Sequence, residues 1–171
     1  KIGDTLSDIA AIHALKHTCS NFISYSYLDR GSDERQYCSP GVDLPIASIM
    51  RSKYHEYPEY HTSMDNLEFV TPSGLFGGFM AIKRAIESIE NNIVYKVTQL
   101  CEPQLGKRGL YPNLGGVDTY KKVQNRMNLL AYADGETDLL SIANKLNIPI
   151  WDLRIEAELL REAGLLECID R

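Results

Sequence analysis

The sequence lacks any close pair of cysteines. Cys19, Cys38, Cys101 and Cys168 stand far apart and form no Cys-x-x-Cys spacing. That excludes a thiolate zinc ribbon and points to free thiols in a reducing, cytoplasmic setting. There is no signal-peptide pattern and no apolar run approaching the ~20 residues of a membrane helix, so no membrane association is expected. Clustered Lys and Arg are also missing, and the net charge is −5. A binder of nucleic acid or of anionic lipid needs the opposite balance. The first residue is Lys1 rather than a methionine, and the chain reads as entered in the middle of a longer protein. What is present is a foldable composition, 171 residues of which 44% are hydrophobic. That is enough for one core, or for a domain with a small module.

Periodicity predicts a helix from about Thr5 to Thr18, with Leu6, Ile9, Ala10 and His13 on its inner stripe. His13 is then an ordinary core or boundary histidine. "NFISYSYL" alternates apolar and polar residues as a strand does. "LPIASIM" is apolar on both parities, as in a strand covered on both faces. Each is followed by a polar loop, "DRGSDERQYCSPGVD" and "RSKYHEYPEYHTSMDN". A long helix follows, with Thr71 as its N-cap and Pro72 at its first position. Its predicted inner face is Leu75, Phe76, Phe79, Met80, Lys83 and Ile86. Gly77 and Gly78 within it suggest close packing against a neighbour. "IVYKVTQL" reads as one more strand. This order is that of an α/β sheet, in which ligands bind at loops beyond the strand ends. The two polar loops are therefore expected to face one site.

The predicted organisation is an α/β domain over 1–99, a connector over 100–117 rich in Gly and Pro, and a module over 118–171. The module shows a helix with Tyr120, Val123, Met127 and Leu130 on one stripe, a turn, a short helix, a tight turn at Asn147–Pro149, a second helix and an apolar end. This is the pattern of an all-α, winged-helix unit. It carries seven Lys and Arg against ten Asp and Glu. Its last helix, "WDLRIEAELLREAG", would bring acids toward phosphates, so protein contacts, such as a homo-oligomer, are expected in place of DNA. Trp151 is either a plain core tryptophan or an anchor for such contacts.

His61 and Asp65 form His-x-x-x-Asp, a spacing of low specificity by itself. "EYHTSMDN" resembles the Tyr-His-Thr-x-x-Asp signature of the co-catalytic zinc aminopeptidases, the clan of bacterial leucyl aminopeptidase and glutaminyl cyclase. "GSDERQYCSPGVDLPIASI" resembles that clan's Ser-Asp-His loop and the strand after it. The wider wording, with "EPQLGKRGLYP" as connector, is similar to a bacterial aminopeptidase-like branch. Its members occur with polysaccharide-biosynthesis genes and end in a winged helix. The resemblance implies the C-terminal part of a zinc-exopeptidase-like (phosphorylase/hydrolase-like) three-layer sandwich. It also implies a hydrolase acting on a small peptide or amide substrate through a water activated by two zinc ions.

On that resemblance His61 is a metal ligand. The resemblance transfers that one ligand and no complete site; from the residues themselves, Asp33 is expected to orient a ligand or to be structural, and Asp65 to close the loop or orient the imidazole. Glu34, Arg35, Tyr37, Arg51, Tyr57 and Tyr60 are the candidate residues of a substrate pocket, read from the loops and not from the resemblance. Arg35 and Arg51 are suited to hold a carboxylate, or to pair with nearby acids. The tyrosines are suited to donate to an oxyanion, or simply to pack. Ser32-Asp33-Glu34 departs from Ser-Asp-His, which puts the ordinary aminopeptidase substrate preference in question. The clan's remaining ligands and its general base have no match in this chain, so the missing N-terminal part of the same domain is an expected partner. No catalytic residue is assigned here, and the chain by itself is expected to be inactive. A non-catalytic scaffold with the same fold is the competing expectation.

Overall fold

The computed structural model describes residues 3–19, 21–111 and 117–169. The chain divides into two compact units, Lys1–Ile89 and Glu90–Arg171. In the first, helix α1 spans Leu6–Thr18 and opens with a capping box between Thr5 and Asp8. A four-residue helix α2 spans Glu34–Tyr37, and α3 spans Pro72–Glu90. The Thr71 hydroxyl accepts from the Gly74 N–H at 3.1 Å, which caps α3.

Helix α1 buries half of the stripe that periodicity suggests, Ala10 and His13, with His13 a core histidine as expected, whereas α3 turns a different face inward. In α1 the buried residues are Ala10, Ala11, His13 and Ala14, while Leu6 and Ile9 are exposed. In α3 they are Ala81, Ala85 and Ser88, while Leu75, Phe76, Phe79 and Ile86 are exposed. Small side chains face in and large ones face out. Periodicity reports that a stripe exists; what covers it depends on the neighbours. Of the two glycines, Gly77 lies under the Arg51 guanidinium, 3.0 Å from where a Cβ would sit, whereas Gly78 has open space. "NFISYSYL" and "LPIASIM" form no strand among the described residues, and a 3₁₀ turn occupies Tyr27–Asp29. A strand exists only when a ladder partner takes up its backbone groups, and no described segment forms a ladder with either, the Leu44 N–H bonding singly to the Tyr37 carbonyl.

The second unit is a three-stranded antiparallel sheet packed with three helices. Strand β1 spans Val94–Val97, helix α4 Val117–Tyr132, strand β2 Asp134–Asp138, helix α5 Leu139–Leu146, helix α6 Ile150–Glu162 and strand β3 Leu166–Ile169. The sheet order is β2-β1-β3, with Val94 opposite both Asp138 and Ile169. β1 is thus the centre of this sheet and not part of the upstream segment, where the sequence placed it. β2 falls where a turn was expected. Gly135 permits it, with φ +90° and the Lys96 side chain 3.2 Å from where a Cβ would sit. Asp138 caps α5 through the Ser141 N–H, and Asn147 closes α5 in the left-handed conformation. The core holds Leu129, Leu139, Ile142, Ile150, Leu153 and Leu160, all fully buried. Tyr120 is exposed and Trp151 half-buried, so neither is a core anchor. Of the expected connector, residues 112–116 lie outside the described residues, and Leu105 in its described part is buried.

Candidate functional site

The two polar loops of the first unit are tied together by one carboxylate. Glu34 is buried at the start of α2. Its Oε1 accepts from the Gly31 N–H (3.1 Å), the Ser32 N–H (3.3 Å) and the Tyr54 hydroxyl (2.8 Å). Its Oε2 accepts from the Ser48 hydroxyl at 3.3 Å. Burial works against the charged form, but the hydrogen bonds from Gly31, Tyr54 and Ser32 outweigh it and hold the carboxyl down to about 2. Burial and the facing Glu34 carboxylate in turn push the Tyr54 phenol up. The Tyr54 ring also lies close to Gly31, where a Cβ would come within 2.5 Å of it, so a side chain at that position would force Tyr54 to shift. Glu34 was expected to face substrate. Its oxygens are instead taken up by the chain's own donors, and its evident work is to join the loop at 31–34 to the segment at 48–54.

Beside this knot, Lys53 lies over the rings of Tyr25 and Tyr54, 5.0 and 4.8 Å from their centres, and pairs with Glu56 at 3.3 Å. Glu56 also accepts from the Tyr25 hydroxyl, which raises the Tyr25 phenol. Tyr54, Lys53 and Tyr25 were missed by sequence reasoning. The contacts that tie them into the site, Tyr54 to Glu34 and Tyr25 to Lys53 and Glu56, join residues 20 or more positions apart, and no local spacing announces them.

His61 is exposed at the tip of the second loop with φ +58°, an unusual backbone for a residue with a side chain. Its imidazole stacks on Tyr60, with ring centres 4.0 Å apart and planes at 15°. Tyr60 meets Tyr57 edge-on at 5.6 Å, and Tyr57 stacks on Phe69 at 5.5 Å. The loop therefore stands on a short aromatic stack. Burial, then the neighbouring Asp65 charge, push the Tyr57 phenol up. Thr62 fixes the turn, its hydroxyl donating to the Glu59 carbonyl and accepting from the Met64 N–H. Asp65 closes the turn through its own N–H to the Thr62 carbonyl. No hydrogen bond joins its carboxylate to His61 among the described residues.

The other expected residues lie apart from this stack. Asp33 precedes α2, and its carbonyl accepts from Gln36 and Tyr37 while its side chain makes no cap. Arg35 and Tyr37 are exposed on α2. Arg51 lies along α3 at Gly77.

The exposed imidazole of His61 is chemically suited to give one bond to a metal. A zinc site needs three or four such donors, and no group of three or more His, Cys, Asp or Glu side chains able to hold a metal exists among the described residues. The residues described here do not form a metal site by themselves, and no catalytic step follows from them alone. No helix among the described residues is long and apolar enough to cross a membrane.

Residues 1–92, more than half of the chain, match the family described as "Domain of unknown function (DUF4910)". The chain belongs to that family. Residues 93–168 match a winged helix-turn-helix family, in keeping with the sheet and helices of the second unit. A Clostridium acetobutylicum protein, provisionally named as a polysaccharide biosynthesis protein with an aminopeptidase-like domain, is 37% identical over 99% of this chain. The match covers 39% of that protein. A crystal structure of a provisionally assigned peptidase from the same species superposes with a TM-score of 0.86 at 35% identity. It covers 99% of this chain and 37% of the other. The chain thus spans about two-fifths of the length of these relatives.

Proposed function

We propose that this DUF4910 chain is part of an aminopeptidase-like hydrolase that cleaves a peptide or small amide bond. In this reading His61 gives one bond to a zinc site whose other donors lie in polypeptide that the relatives carry outside the matched region. The observation that carries it is His61 itself. An exposed imidazole is held in a left-handed backbone on a stack of tyrosines, in a chain similar to proteins named for aminopeptidase-like and peptidase roles. Positioning a side chain on a strained backbone at an exposed loop tip costs stability, and such strain gathers at functional sites. The pocket residues Arg35, Tyr37, Arg51, Tyr57 and Tyr60, and the orienting carboxylates Asp33 and Asp65, belong to the same proposal.

The test is metal content and peptide hydrolysis in the longer protein that this reading requires, before and after His61→Ala. Loss of bound zinc and of turnover is expected. Unchanged zinc and unchanged turnover would sink the reading.

A second reading has its own observation. In α6, Glu158 pairs with both Arg154 and Arg161, and Arg126 of α4 pairs with Glu156. These arginines are neutralised within the module, which favours a protein-contact role, including self-association, over DNA. Tight, salt-dependent DNA binding would reverse that view.

A further inference from the structure

The first unit leaves two kinds of group without partners. Phe22–Tyr25 and Ala47–Met50 carry the residue types of strands, yet their backbone N–H and C=O groups make no backbone hydrogen bond with any described residue. Along α3, Leu75, Phe76, Phe79, Ile82 and Ile86 form a stripe at helical spacing, each between 46% and 64% exposed. Unpaired strand-like backbone and an uncovered apolar helix stripe are what a sheet layer and a helix layer show when taken apart.

We infer that Phe22–Tyr25 and Ala47–Met50 are strands of a larger sheet, and that this sheet and the outer face of α3 are completed by further polypeptide of the same aminopeptidase-like domain. The inference rests on the functional reading above. The occupant is the kind of polypeptide represented by the three-fifths of the C. acetobutylicum relative that this chain does not match. A second copy of the chain fits less well. "LPIASIM" is apolar on both parities, with Leu44, Ile46, Ala47, Ile49 and Met50. A strand of that pattern is covered on both faces. Pairing of two copies along one edge would serve one side and leave the other open.

The test is amide hydrogen exchange, with light scattering on the same samples, for this chain and for the whole C. acetobutylicum relative. In this chain alone, as a monomer, the amides of Phe22–Tyr25 and Ala47–Met50 are expected to exchange nearly as fast as in an unfolded chain. In the whole relative the aligned amides are expected to be slower by about a hundredfold or more. Protection in the monomeric chain would overturn the inference. So would protection that appears only as the chain dimerises, which would assign the surface to a second copy. Fast exchange at the aligned amides of the folded relative would overturn it as well. The readout needs neither metal nor turnover. Protection in a relative that binds no zinc would leave this inference standing and remove the hydrolase reading, and the converse result would do the reverse.

Discussion

Between Glu90 and Arg171 the chain buries Leu129, Leu139, Leu140, Ile142, Leu153 and Leu160 to exclusion of solvent, whereas up to Ile89 the buried apolar side chains among the described residues are five alanines and Cys38. Burying a leucine or isoleucine stabilises by about 1.5–3 kcal/mol, against roughly 0.8 for a single methylene-sized group. The second unit therefore carries its own core. The first holds together through polar ties, chiefly the four donors gathered on Glu34, and keeps its large side chains on the outside. A segment rich in Leu, Ile and Phe that buries mainly alanine has its main apolar surface still to be covered.

The largest effect that would break this contrast is in the second unit. Leu153→Ala removes a fully buried side chain and is expected to cost about 2–5 kcal/mol, measured by urea unfolding. A cost below 1 kcal/mol would show that the second core is looser than its burial suggests.

Next in size is Glu34→Gln. An amide nitrogen brings N–H groups toward the donors of Gly31, Ser32, Tyr54 and Ser48, and the expected cost is about 1–3 kcal/mol. Its pH dependence has a definite sign. The folded carboxyl titrates at about 2 against an ordinary 4.5, so its stabilisation is complete above the ordinary value and is lost as pH falls toward 2. The gap between wild type and Glu34→Gln in thermal unfolding should narrow through that window. A gap independent of pH would mean that Glu34 stabilises by packing and not by charge.

The legible part of the fold follows from local rules. The cap of α3 at Thr71, the turn at Asn147 and the winged-helix grammar after Asp118 depend on residues within a few positions of one another, and the structure has them. The inward face of α1 was legible only at Ala10 and His13, and the inward face of α3 and the pairing of Val94–Val97 were not legible, because each is decided by a partner distant in sequence. The site divides the same way. The His61 loop announces itself through its dense polar and aromatic spelling. The Glu34–Tyr54 bond spans 20 positions and leaves no local mark, so Glu34 reads from sequence as a pocket residue when its oxygens are already engaged.

The smallest effect sharpens the comparison most. Phe79 is 59% exposed on the outer stripe of α3. Phe and Ser have similar helix propensities, so Phe79→Ser tests contact and little else. In this chain the change should move stability by no more than about 0.5 kcal/mol, as for an ordinary surface position. At the aligned position of the whole C. acetobutylicum relative, truncating a large apolar side chain there should cost several-fold more, approaching the ~3–5 kcal/mol of a buried phenylalanine. Equal and small costs in both proteins would show that the stripe stays in water and that the first unit is complete with its alanine core. Equal and large costs would show that the helix already packs its outer face within this chain. Only the unequal result fits a helix whose large side chains wait for another layer.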